Sequence, residues 1–187
     1  MRIVGGRHRG RPLRAPLDGI RPTADRVREA VFNILEHGID WDGFEGASVV
    51  DVFAGTGVLG LEALSRGASR ATFIDTNGRA VQEIRRNAAA LGEASAVLLL
   101  KIDATRLAPP PRAAEAPAAL AFLDPPYDSG LAGPALAGLT AKGWISVGAI
   151  CVVEIASQEA LQQPPRYTVL DERTYGAARV VFLQLDG

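Results

Sequence analysis

Cysteine is almost absent from this chain: a single residue, Cys151, occurs among 187. An internal disulfide framework is thereby excluded. With only two histidines, no metal-ligand cluster of recognisable spacing can be assembled. Long apolar runs are missing too, none approaching the roughly 18 residues that a membrane span requires. The N-terminus carries arginines but no apolar core of a secretory signal. These absences lead us to expect a cytoplasmic protein without a structural metal or membrane contact. The hydrophobic fraction of 48% and charged fraction of 22% are those of a soluble globular chain, and the length suits one domain with a small appendage.

Lysine is lacking from the first 28 residues, which instead hold eight arginines: Arg2, Arg7, Arg9, Arg11, Arg14, Arg21, Arg26 and Arg28. Against Asp18 and Asp25 they leave a local balance of +6, while the remainder of the chain stands at −7. A basic arm on an acidic body points to a polyanionic partner. Arginine suits phosphate forks and base stacking better than lysine does. The plain alternative is a solvated terminus. Against it, Ile3, Val4, Pro12 and Leu13 flank the Gly5-Gly6 pair and predict a small folded hairpin. Next, apolar residues at Val27, Ala30, Val31, Ile34 and Leu35 follow a helical period, with Thr23 placed to cap the start. Arginines crowd the N-terminal end of this helix, where the dipole disfavours cations. An anionic ligand nearby would account for them.

The centre of the chain alternates strand and helix signals. A buried strand, 48–53, enters the turn Gly55-Thr56-Gly57-Val58-Leu59-Gly60 and then a helix that Gly67 stops. A second strand, 71–74, precedes Asp75, and a helix over 77–91 follows. A third strand, 96–102, leads to Asp103. The glycine spacing alone would pass for a dinucleotide fingerprint, with Asp75 twenty residues on. Asp51, just before the turn, opposes that reading. A carboxylate there repels a pyrophosphate but suits a ligand with a cationic amino group, such as S-adenosylmethionine, whose ribose would use Asp75. Asp103 is placed to meet the adenine, although an aspartate after a strand is also a common turn former or helix cap.

A Pro/Ala-rich stretch, 107–119, reads as a loop. The fourth strand, 120–123, then delivers Phe122-Leu123-Asp124-Pro125-Pro126-Tyr127. Proline fixes φ and pushes its predecessor out of the α region, so this is a stiff corner bearing a carboxylate and an aromatic face. A strand-to-loop exit with a surface Tyr is the plain alternative. Beyond it we predict a weak helix over 130–141, a buried strand over 147–155 with Cys151 packed inside, a short helix over 157–162, and an antiparallel hairpin of 167–174 and 178–185. The whole is an α/β doubly wound sheet with an antiparallel strand at one side. Asp51, Asp75, Asp103 and Asp124 all fall at strand C-termini, where ligands of such sheets bind. One shared cleft is expected.

Three segments together resemble the RsmD family of bacterial 16S rRNA guanine-N2 methyltransferases: the run from Arg21 through Thr23 to Asn33, the run from Asp51 to Gly57, and Phe122 through Tyr127. The opening Met1 to Leu13 and Arg173-Thr174-Tyr175-Gly176 fit as well. The corner alone is shared with many amino-group methyltransferases, whereas the N-terminal motifs are more specific. The resemblance implies a Rossmann-like, S-adenosylmethionine-dependent methyltransferase domain over 21–187, with a basic RNA-binding hairpin over 1–20. By position, it implies that Asp51, Phe53, Gly55, Gly57, Asp75, Asp103 and Thr23 serve the cofactor. Asp124, Pro125, Pro126 and Tyr127 would hold the target base. Arg2, Arg7, His8, Arg9, Arg11 and Arg21 would hold RNA. The implied partner is 16S rRNA, in a small-subunit assembly particle, with the enzyme acting as a monomer. The corner by itself would also accept adenine, so an adenine-N6 methyltransferase on DNA or RNA is one alternative. A dehydrogenase, on the glycine spacing, and a non-catalytic RNA-binding ribosome-assembly factor are the others.

Overall fold

The computed structural model describes residues 1–14 and 25–187. In chain order the elements are α1 (Asp25–His37), β1 (Ser48–Val52), α2 (Val58–Ser65), β2 (Arg70–Ile74), α3 (Gly78–Leu91), β3 (Val97–Leu100), β4 (Ala118–Leu123), α4 (Ala132–Ala141), β5 (Ile145–Ala156), β6 (Tyr167–Tyr175) and β7 (Ala178–Leu185). They build one seven-stranded sheet of order β3-β2-β1-β4-β5-β7-β6. Strands β1 to β5 run parallel, and β7 lies antiparallel between β5 and β6. The order reverses between β1 and β4, which opens a crevice beyond their carboxyl ends.

Period-2 alternation divides the central strands between two cores. Val49, Leu120, Phe122, Val152 and Phe182 face α1, α2 and α3, packing with Phe32, Leu61, Leu64 and Ile84. Val50, Val52, Ala121, Leu123 and Val153 face α4, packing with Leu136, Leu139 and Trp144. Helices cover both faces, so these strands read as nearly continuous apolar runs. Cys151 is packed in the second core, and burial pushes its thiol up to about 12, away from any role as a nucleophile at neutral pH.

The basic arm forms the hairpin that its sequence predicts. Arg2 and Pro12 pair antiparallel, and Ile3 N–H donates to the Arg11 carbonyl at 3.0 Å while Gly10 N–H donates to that of Ile3 at 2.9 Å. Ile3 and Leu13 join the first core. Docking is polar as well as apolar: the Glu62 carboxylate, fully buried in α2, accepts the N–H groups of Val4 (2.8 Å) and Gly5 (2.7 Å). Ser65 Oγ accepts from His8 N–H at 2.9 Å and donates to the Gly5 carbonyl at 2.6 Å. Covered on both sides, α2 has no exposed residue along its length.

Three expectations change. At α1, Arg28 finds its partners within the protein, where a ligand anion was expected to account for the crowded arginines. Arg28 is fully buried, bonded to Asp25 (3.0 Å) and to the Arg2 carbonyl, with Glu62 at 3.9 Å. The segment 157–162 is a turn followed by irregular chain, not a helix. Six residues are too few to nucleate one unaided. Here the Glu159 carboxylate instead accepts N–H groups of Asp128 and Ala156, tying the loop after Tyr127 to the end of β5. Finally, the Pro/Ala-rich loop is shorter than expected: it contains a 3₁₀ turn at Arg112–Ala114 with Ala114 buried, and β4 begins at Ala118.

Candidate active site

A cavity of about 630 Å³ lies at the switch point. Its walls come from the carboxyl ends of all five parallel strands: Asp51 in the last pairs of β1 and Phe53 just after it, Asp75 and Thr76 after β2, Ile102 and Asp103 after β3, Asp124 to Tyr127 after β4, and Glu154 within β5. The four acidic strand ends thus share one cleft. This is a question of topology, since parallel strands in one sheet all end at the same edge.

Asp51 is buried, and its Oδ2 accepts the N–H of Gly60 at 2.9 Å, pinning the first turn of α2 to β1. Burial holds its carboxyl well above the ordinary range; the Gly60 bond works against this, and the charges of Asp124 and Asp75 add to it. A cation in the cleft would relieve all three carboxylates. Phe53 reaches the cavity from a left-handed backbone (φ 58°), a conformation costly for an aromatic residue and concentrated at functional sites.

The glycine turn divides its labour. Gly55 (φ 53°) lines the cavity and its N–H donates to Asp75 Oδ2 at 2.8 Å. Gly57, expected to line the cofactor, is not among the cavity residues. A Cβ there would sit 2.8 Å from Ile84 of α3, and one on Gly60 would sit 2.4 Å from Phe73 of β2. Both glycines therefore allow α2 to approach the sheet and α3. Asp75 also accepts the Asn77 N–H on Oδ1 at 2.7 Å. A carboxylate has about four acceptor positions, so capacity remains for a pair of hydroxyls. Asp103 does two jobs: it lines the cavity and caps the turn Ala104–Arg106, accepting from Thr105 N–H at 2.8 Å and Thr105 Oγ1 at 2.7 Å. The Thr105 hydroxyl bond lowers its carboxyl pKa first, followed by the Thr105 backbone bond.

In the corner, Asp124 N–H donates to the Val52 carbonyl (3.3 Å), which fastens the carboxylate beside β1. Tyr127 donates its hydroxyl to Glu154 Oε1 at 3.0 Å. Sequence reasoning missed Glu154, Thr76 and Ile102. For Glu154 a signal exists: it is the one charged residue in the apolar stretch 149–155. Thr23 and Arg21 lie outside the described residues. Arg7 and His8 are engaged by Glu93 (2.7 and 2.5 Å), and Arg11 donates to the Ala90 carbonyl (3.0 Å) while remaining exposed. Arg9 is exposed, and Arg2 lies 4.0 Å from Asp25. The hairpin tip rests at the Ser65 end of α2, away from the cavity; Met1, at its other end, reaches Thr56 of the cavity wall at 3.8 Å.

A doubly wound sheet of this order, closed by an antiparallel β7 and carrying an acidic crevice, defines the Rossmann-like S-adenosylmethionine-dependent methyltransferase fold. The family model described as conserved hypothetical protein 95 matches residues 1–184, and the chain belongs to that family, the RsmD family of the motifs above. It is 37% identical over 166 residues to the ribosomal RNA small subunit methyltransferase D of Escherichia coli K12, covering 88% of this chain and 79% of that protein. The Haemophilus influenzae protein of the same name is 34% identical over 181 residues, covering 94% and 89%. The solved structure of Escherichia coli yhhF superposes with a TM-score of 0.82 at 32% identity, covering 100% of this chain and 98% of that one.

Proposed function

We propose that this protein transfers a methyl group from S-adenosylmethionine to the exocyclic N2 amine of a guanine in small-subunit rRNA. The observation that carries the reading is the joining, in one cavity, of an acidic half (Asp51, Asp75, Asp103) and the Asp124 to Tyr127 corner. Relatives named small-subunit rRNA methyltransferases support the substrate, and the motif resemblance supports guanine N2.

The cavity fits the donor: Asp51 offers a buried carboxylate to an amino group, Asp75 has acceptor capacity for ribose hydroxyls, and Ile102 beside Asp103 provides an apolar wall for a ring. When bound, S-adenosylmethionine supplies an electrophilic methyl group on a sulfonium. The protein's part is to prepare the amine, whose lone pair is delocalised into the guanine ring. The Asp124 carboxylate and the Pro125 carbonyl accept hydrogen bonds from its two N–H groups, which draws the nitrogen towards tetrahedral geometry and aims its lone pair into the cavity. The one proton that the nitrogen sheds on methylation passes to the Asp124 carboxylate. Tyr127 stacks on the extruded base, held in place by Glu154. Positioning and electrostatics carry the rate. The deciding experiment is labelled methyl transfer to naked 16S rRNA and to small subunits from cells lacking the enzyme, with the product mapped by mass. N2-methylguanine is expected; a methylated adenine, or no transfer to either substrate, would overturn the reading.

Two predictions accompany it. Replacing Arg7, Arg9 and Arg11 with Ala should weaken RNA binding and reduce the slope of log affinity against log salt by about 2 to 3. S-adenosylmethionine affinity should not change. An unchanged slope would exclude the arm from the RNA contact. Asp51→Asn should bind S-adenosylmethionine more weakly yet unfold at a higher temperature at neutral pH. The raised carboxyl of Asp51 contributes stability at low pH and loses it as pH rises through that raised value. Asn has no charge to desolvate, so the advantage of the variant should widen as pH rises. Thermal melts of the ligand-free protein across pH check this, each kcal/mol appearing as about 2–4 °C in a chain of this size.

A further inference from the structure

Glu154 is a carboxylate where the sequence otherwise runs apolar. It is buried, and it lines a small second cavity together with Val31, Leu59, Leu123, Val152 and Val180. Burying a charged group is costly unless hydrogen bonds compensate, and the Tyr127 hydroxyl provides one at 3.0 Å. The register places it with care. Leu123 and Val153 are paired across parallel β4 and β5, so Asp124 and Glu154 follow side by side, on the same face, and both line the cavity. Two neighbouring carboxylates form an edge made of acceptors.

Guanine presents its N2 amine beside N1–H, two donor groups in a row. Adenine presents its N6 amine beside N1, which carries a lone pair. We propose that Glu154 is the residue that determines base specificity. Its carboxylate accepts the guanine N1–H while Asp124 and Pro125 hold the N2 amine, and it repels the unprotonated N1 of adenine. A carboxylate has about four acceptor positions, so accepting from Tyr127 and reading the base are compatible. This inference rests on the methyl-transfer reading and supplies what the corner alone lacks, a reason to prefer guanine.

The test uses RNA in which the methylated guanine is replaced by 2-aminopurine, which keeps the 2-amino group but has no N1–H. The wild-type protein should favour guanine in kcat/KM by about 10- to 100-fold, the range for a hydrogen bond to a charged group. Glu154→Ala should bring the ratio close to one, and Glu154→Gln, which keeps a neutral acceptor and the side-chain volume, should give an intermediate value. Tyr127→Phe removes the hydroxyl bond but leaves the carboxylate, so it should slow both substrates and preserve the ratio. Unchanged S-adenosylmethionine affinity in each variant verifies the fold. A wild-type ratio in Glu154→Ala, or an equal collapse in Tyr127→Phe, would show that Glu154 only orients Tyr127. Absence of transfer to guanine by the wild-type protein would instead overturn the reading beneath.

Discussion

Asp124→Ala is expected to lower methyl transfer by about 10²- to 10³-fold, the usual effect of removing one preorganised electrostatic contact at the reacting centre, with S-adenosylmethionine affinity held within a few-fold. The separation of the two effects follows from the geometry. Asp124 stands at the end of β4, anchored to Val52 through its backbone N–H, and the residues placed for the donor stand on β1, β2 and β3. The variant retains that backbone bond, because the N–H does not depend on the side chain. Asp124→Asn should fall between, since its amide oxygen still accepts one hydrogen but without a charge. Single-turnover transfer and calorimetric titration of the donor provide the two readouts. Near wild-type transfer in Asp124→Ala would remove the corner from the mechanism.

Glu62→Ala should destabilise the fold by about 3–5 kcal/mol, the range for breaking a buried ion pair by deleting one partner. Three consequences coincide. Arg28, fully buried, loses its nearest carboxylate besides Asp25. Arg66, bonded to Glu62 at 3.0 Å, loses a partner, and the N–H groups of Val4 and Gly5 lose their acceptor. Unsatisfied buried donors cost more than the bond they once made. Melting should fall by at least about 6 °C on the size scaling for such chains, and the hairpin should become accessible to proteolysis. Glu62→Gln keeps an acceptor oxygen and should lose less. A variant Glu62→Ala that melts with the wild type would show that the apolar contacts of Ile3 and Leu13 alone hold the arm.

The arm shows where local reading succeeds and where it stops. Its hairpin followed from Gly5-Gly6 between apolar residues, a matter of a dozen neighbouring positions. That Arg7 and His8 are spoken for by Glu93, or Arg28 by Asp25 and Glu62, depends on contacts from 3 to 86 residues apart in sequence. Net charge along a segment says nothing of such pairings. The same holds for Gly57. Its place in a glycine motif suggested a ligand contact, but the atoms facing it belong to Ile84 and Phe73.

What the sequence alone determined is the order of strands and helices apart from the helix expected over 157–162, the buried runs, and the acidic residue at each strand end, because pattern, proline and glycine act over a few residues. Only the tertiary structure decided which side chains share a wall. Parallel pairing brought Asp51, Asp75, Asp103 and Asp124 to one edge, and the β4–β5 register set Glu154 beside Asp124. A carboxylate in the middle of an apolar strand looks like an exception in one dimension. In the sheet it is the neighbour of Asp124, because hydrogen-bonded register, and not sequence distance, sets what a strand end can touch.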